Sequence, residues 1–321
     1  MTAPQTSATQ RHRTSVFRAV VGLLWVVVAG YVLITKAGTL LAGHPAYPTL
    51  LIATTVVGLI LVVAGVRPAR PRAGRGGAGL VIGRVLGVVG TVLLLGGIVY
   101  LIPLPATDPV SAMQSTSAVT VESSPTRIVL TPAGGTTPRA GLVFQPGAKV
   151  DPRAYVALLK PVAEAGYLVV IVKQPFDIGF LSIGDPGNVI AANPGITRWS
   201  VAGHSLGGVA AGSYAEQQKP LVRGLLFWAS YPLGSLAART DLVVTSVSGT
   251  NDGLSTPADI EASRAKLPPS ATFVAVEGGV HAFFGDYGEQ PGDGAPSVSR
   301  EVAQQQIIAA TVAFMAKVAA A

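Results

Sequence analysis

Three long apolar stretches, Val20 to Ile34, Thr49 to Val66 and Leu80 to Ile102, fill most of the first hundred residues. No compact water-soluble fold of 321 residues needs three such runs so close together. At a rise of about 1.5 Å per residue they are long enough, or nearly so, to cross about 30 Å of hydrocarbon as helices. The charge pattern agrees. Up to Ala106 there are nine Lys or Arg and no Asp or Glu, whereas from Thr107 onward fourteen basic residues stand against sixteen acidic ones. The net charge of +7 therefore belongs to the N-terminal third, where basic residues flank apolar runs. That distribution points away from nucleic-acid binding.

The sequence thus predicts a membrane region over 1–106 with spans at about 19–35, 48–66 and 79–102. Arg11, Arg13 and Arg18 precede the first run, and Arg67, Arg70, Arg72 and Arg75 lie between the second and third, while the loop around Lys36 and His44 carries one formal charge. By the positive-inside rule the arginine-rich segments stay in the cytoplasm, so the chain leaves the third span on the extracytoplasmic side. Reading the first run as a cleaved signal peptide would remove one span without changing that side. Arg84, inside the third run, reads as a snorkelling anchor. Gly83, Gly87, Gly90 and Gly96 read equally well as a close helix contact or as ordinary glycine tolerance in lipid. Cysteine is absent, which excludes a disulfide, a thiol nucleophile, a zinc-thiolate site and a lipidated cysteine.

Residues 107–126 are rich in Ser, Thr, Pro and Ala and read as a spacer, with Val119 and Val121 as the possible start of a strand. From Arg127 to the C-terminus, short apolar runs alternate with amphipathic ones, the signature of a mostly parallel sheet covered by helices. The expected strands are Arg127 to Leu130, Gly141 to Phe144, Leu168 to Val172, Trp199 to Ala202, Gly224 to Ala229, Leu242 to Ser248 and Thr272 to Val276. Helices are expected over Pro152 to Ala165, Asn188 to Ala192, Leu206 to Gln218, Pro257 to Leu267 and Arg300 to Val318. Asp151 and Thr256 precede prolines and read as helix N-caps.

Gly203-His204-Ser205-Leu206-Gly207 follows a strand candidate directly and opens a helical pattern. In a strand-turn-helix of this kind a sharp turn lifts the serine hydroxyl clear of the sheet, and only glycine lets neighbouring backbone pass so close. Such a serine needs a base. Of the four histidines, His12 and His44 belong to the membrane part and His204 adjoins the serine, which leaves His281, just past the last strand. The orienting acid expected between them in chain order is Asp252, in the polar turn after the strand Leu242 to Ser248. The backbone N–H of Leu206 is the first candidate oxyanion donor, and the loop Gln145-Pro146-Gly147-Ala148 the source of the second. Pro146 has no N–H, so Gly147 or Ala148 must supply it, with Ala148 preferred.

These residues resemble the α/β-hydrolase superfamily, and more closely its small dienelactone-hydrolase-like branch known as α/β-hydrolase fold-5. The resemblance runs from about Arg139 onward and rests on Phe144-Gln-Pro-Gly147 with Val150-Asp-Pro152, Ala165-Gly-Tyr167, Gly203-His-Ser-Leu-Gly-Gly208, Gly249-Thr-Asn-Asp252-Gly253 and Gly278-Gly-Val-His281. It implies hydrolysis through a serine acyl-enzyme with Ser205 as nucleophile, Asp252 as acid and His281 as base, and with no metal or organic cofactor. Dienelactone hydrolases proper use cysteine, which this chain lacks, so the resemblance leaves that substrate open. The short stretch from Ser230 to Asp241 has no room for a cap domain, and an open site is expected. The expected partners are the lipid bilayer and a small-molecule or lipid-like acyl substrate. An acyltransferase with the same triad and a non-catalytic binding module on the same fold are the competing readings.

Overall fold

The structure, a computed structural model, describes residues 15–67, 77–135, 137–217 and 222–321. These residues form two compact units, one of residues up to 37 together with 47–102, the other of 38–46 together with 103–321. Arg11, Arg13, Arg70, Arg72 and Arg75, on which the charge argument partly rests, lie outside the described residues.

The chain opens with α1 (Val16–Thr35), the single-turn α2 (Ala37–Leu40), α3 (Ala46–Val66) and α4 (Gly77–Tyr100). Of these, α1, α3 and α4 are long and apolar enough to cross a bilayer, which marks a membrane protein. Their exposed side chains are largely Leu, Val and Ile, as lipid-facing helices require. The close small-residue contact joins α1 to α3: a Cβ on Gly58 would lie 2.8 Å from the Gly22 carbonyl oxygen, and one on Gly65 would lie 2.9 Å from the Ala19 Cα. In α4 nothing lies within 4 Å of a Cβ at Gly83, Gly90 or Gly96, and one at Gly87 would meet the Phe17 ring of α1 at 3.4 Å. Trp25 Nε1 donates to Thr91 Oγ1 at 3.1 Å, satisfying an indole N–H that lipid could not.

The second unit continues through α5 (Pro109–Ala112), β1 (Val119–Ser123), β2 (Arg127–Pro132), β3 (Gly141–Gln145), α6 (Val156–Glu164), β4 (Leu168–Val172), α7 (Asp185–Ala191), β5 (Trp199–His204), α8 (Leu206–Gln217), β6 (Val222–Trp228), β7 (Val243–Gly249), α9 (Pro257–Ser263), β8 (Thr272–Val276) and α10 (Arg300–Ala320). Eight strands form one sheet in the order β1-β2-β4-β3-β5-β6-β7-β8. β1 and β2 run antiparallel to their neighbours, and every pairing from β4 to β8 is parallel. Side chains alternate between two cores. Leu142, Phe144, Val169 and Ile171 pack under α6 and α10, and Val143, Leu168, Val170 and Val172 under α7 and α8.

One expectation needs correction. Residues 107–126 are not a spacer: the Thr107 N–H donates to the Asp286 carbonyl at 2.9 Å, α5 follows, and β1 pairs with β2 along its whole length. Only Leu101, Ile102 and Pro103 separate the end of α4 from Leu104, which already bridges to Val150. The polar composition concealed this because β1 is an edge strand with one buried face, Val119 being its single fully buried residue. The last expected helix is present as α10, which is apolar and long enough to span a membrane yet lies on the sheet, burying Ala303, Ile307, Thr311, Phe314, Met315 and Val318.

Candidate active site

The candidate residues follow the C-terminal ends of the parallel strands β3, β5, β7 and β8, where an open α/β sheet leaves a crevice. Ser205 lies between β5 and α8 with φ +51°, the left-handed region that a non-glycine residue adopts only when its surroundings enforce it. The enforcement is visible. The Ser205 N–H donates to the Trp228 carbonyl at 3.0 Å, while its own carbonyl accepts from Gly208 N–H, Val209 N–H and Ser230 Oγ at 3.0, 3.2 and 2.6 Å. A Cβ on Gly207 would overlap the Gln145 carbonyl, and one on Gly203 the Gly207 backbone. The motif glycines are therefore a packing necessity of this turn.

Asp252 follows β7 and is almost fully buried. Its Oδ1 accepts from the N–H groups of Leu254 and Ser255 at 2.8 and 2.7 Å, which fixes the carboxylate. The imidazole of His281, beyond β8, approaches that carboxylate through Nδ1, 2.9 Å from Oδ2 and 3.2 Å from Oδ1. A carboxylate that only accepts hydrogen bonds assigns the proton to Nδ1 and leaves Nε2 as a lone-pair base. Nε2 is buried without a hydrogen-bond partner, so the Ser205–His281 bond is not formed in this state. Apo active sites often leave that contact open until substrate binds.

His204, next to Ser205, is buried with its ring 4.5 Å from that of His281 and stacked on Phe284 at 5.9 Å. Burial, and secondarily the His281 imidazole, hold its pKa well below the ordinary histidine value, so it stays neutral. Its Nδ1 lies 2.9 Å from Tyr155 Oη, which also accepts from the Gly147 N–H at 2.9 Å. Burial raises the Tyr155 pKa, so the phenol keeps its proton. With the Gly147 N–H engaged, Ala148 and Leu206, both half-buried, carry backbone N–H groups without a hydrogen-bond partner among the described residues.

Sequence reasoning did not single out Tyr155, Ser230 or Ser255. Ser255 Oγ donates to the carbonyl of Ala229 at 2.8 Å, tying the Asp252 turn to the end of β6. No local motif marks these hydroxyls, because their partners lie far away along the chain. Among the described residues no cluster of His, Asp and Glu suits a metal ion.

Residues 141–306 match the sequence profile of the alpha/beta hydrolase family. The chain belongs to that family, and hydrolysis is the class of chemistry that membership supports. No curated protein matches the sequence. Among solved structures it is similar to a predicted CIB-like hydrolase of Thermoplasma acidophilum (14% identity, TM-score 0.45, covering 62% of this chain and 99% of that one). It is also similar to Est1E of Butyrivibrio proteoclasticus with ferulic acid bound (13% identity, TM-score 0.46, 63% and 97%). A third is the monoacylglycerol lipase of Paleococcus ferrophilus (15% identity, TM-score 0.44, 59% and 98%).

Proposed function

We propose that the protein is a membrane-anchored serine hydrolase that cleaves an ester or similar acyl bond of a small or lipid-like substrate outside the cytoplasmic membrane. The observation that carries the reading is the buried His281–Asp252 pair, 2.9 Å apart, with an unpartnered Nε2 on a ring 4.5 Å from that of His204, the residue before Ser205 and its strained turn.

In this mechanism Nε2 takes the Ser205 proton as Oγ attacks the acyl carbonyl. The N–H groups of Leu206 and Ala148 stabilise the tetrahedral oxyanion, aided by the positive end of α8. The imidazolium, stabilised by Asp252, then protonates the departing alkoxide or thiolate as the carbonyl re-forms. Water, deprotonated by the same Nε2, attacks the acyl-serine. The acid is released and the proton returns to Oγ. No part of this cycle calls on a metal or an organic cofactor.

The topology draws support from connectivity. Residues 38–46 join the same compact unit as residues 103–321, so the chain between α1 and α3 belongs with the hydrolase domain. A path in which α1 leads outward, α3 inward and α4 outward puts both on one side, with Arg67 on the other.

Turnover of a p-nitrophenyl ester by the full chain in detergent tests the chemistry. Ser205→Ala is expected to abolish it, and Asp252→Asn and His281→Ala each to lower kcat by about three to four orders of magnitude. Turnover at the wild-type rate in any of the three removes that residue from the mechanism.

A further inference from the structure

Asp293 lies on the loop between β8 and α10 and takes no part in the proposed chemistry, yet its carboxylate is one of the most heavily used acceptors in the domain. Oδ1 accepts from the N–H groups of His281, Gly253 and Gly294 at 3.0, 3.2 and 2.8 Å, and Oδ2 from the Ala282 N–H at 2.8 Å. His281 and Gly253 belong to the two loops that carry the base and the acid. A single side chain thus bonds the backbone of the base itself and of the residue after the acid.

The geometry has a simple cause. His281–Phe284 is one turn of 3-10 helix, and its first N–H groups have no partner within the turn. Val280, in the N-cap position, supplies no side-chain oxygen, so Asp293 satisfies these donors from outside. At the other end of the turn, Arg300 Nη1 donates to the carbonyls of Ala282 and Gly285, each at 2.6 Å, with its guanidinium over the Phe283 ring. Anion at the amino end and cation at the carboxyl end match the dipole of the turn. The Asp293 loop is also held hard against the acid turn. A Cβ on Gly253 would lie 2.7 Å from the Gly294 nitrogen and 2.8 Å from the Gly292 oxygen, and one on Gly294 would overlap the Asn251 carbonyl.

We propose that Asp293 is a positioning residue that sets His281 against Asp252 by binding the backbone of both loops at once, a role that rests on the serine-hydrolase reading. It acts through the imidazole, without touching substrate. Asp293→Asn keeps the size of the side chain but turns one acceptor oxygen into an NH2 group, which faces either the Ala282 N–H or the N–H groups of His281, Gly253 and Gly294.

The test measures ester turnover and fluorophosphonate inactivation in full-length Asp293→Asn and Asp293→Ala, well below their melting temperatures. The expected result is a kcat lower by about ten- to a hundredfold with KM within about twofold, and phosphonate inactivation slowed in parallel. In an Asp252→Asn background, adding Asp293→Asn is expected to cost less than about twofold, because the alignment it maintains is already lost. A wild-type kcat in Asp293→Asn accompanied only by a lower melting temperature would overturn the proposal. So would a full, additive loss on the Asp252→Asn background. If instead Ser205→Ala and Asp252→Asn themselves turn over at the wild-type rate, the serine-hydrolase reading fails first and takes this role with it.

Discussion

Single side chains at this site are set by their partners more than by their own chemistry. Tyr155 joins the loop of Gly147 and Ala148 to the residue before Ser205, through Gly147 N–H and His204 Nδ1. Tyr155→Phe keeps the ring packing against Phe144 but strands two buried polar groups, a loss of about 1–3 kcal/mol per group. The expected readout is a lower melting temperature together with a kcat reduced by about tenfold, since the Ala148 N–H loses its brace. An unchanged kcat would remove the loop from the oxyanion account. Asp177, whose carbonyl accepts the Lys149 N–H at 2.9 Å, has its carboxyl pushed up to about 7 by burial and then by Asp151. Its folded-state pKa lies above the ordinary carboxylate value, so the native state holds a proton that the unfolded chain has lost between about pH 4 and 7. Stability contributed by the protonated form is therefore complete at low pH, falls across that window and levels off above it. Asp177→Asn is expected to raise the melting temperature at pH 8 and to leave it unchanged at pH 4. Equal melting of variant and wild type at pH 8 would contradict the shift.

At the scale of elements, the turn between β5 and α8 depends on backbone contacts too close for any side chain. Gly207→Ala must displace the Gln145 carbonyl at the root of the oxyanion loop, and near-complete loss of esterase activity is expected in an otherwise folded chain. Activity at the wild-type level would show that the turn tolerates the shift. This turn was legible because the glycine spacing, the strand before it and the helix after it are all local. β3, β4 and β6 were legible for the same reason, as short apolar runs buried on both faces, and β2 by its alternation. β1 was barely so, since five residues with one buried Val give a weak periodic signal and its partner β2 supplies the rest. Tyr155, Ser230, Ser255 and Asp293 were illegible. Each is an ordinary surface-type residue in sequence, and its role comes from contacts across loops that only the folded sheet brings together.

In the whole molecule, almost no chain intervenes between the apolar N-terminal helices and the hydrolase domain, since Leu104 is already bridged to Val150. The absence of cysteine makes the topology easy to read with introduced thiols. Leu41→Cys and Ala321→Cys are expected to react with an impermeant maleimide on intact cells, and Arg67→Cys only after the cells are opened. Reaction of position 321 with the same timing as position 67 would mean that α10 crosses the bilayer instead of covering the sheet. The central claim, a reactive serine held outside the membrane, meets its most direct test in labelling intact cells with a membrane-impermeant fluorophosphonate. Labelling of the wild-type chain and none of Ser205→Ala is the predicted result. Undiminished labelling of Ser205→Ala, or labelling of the wild type only in opened cells, would contradict it.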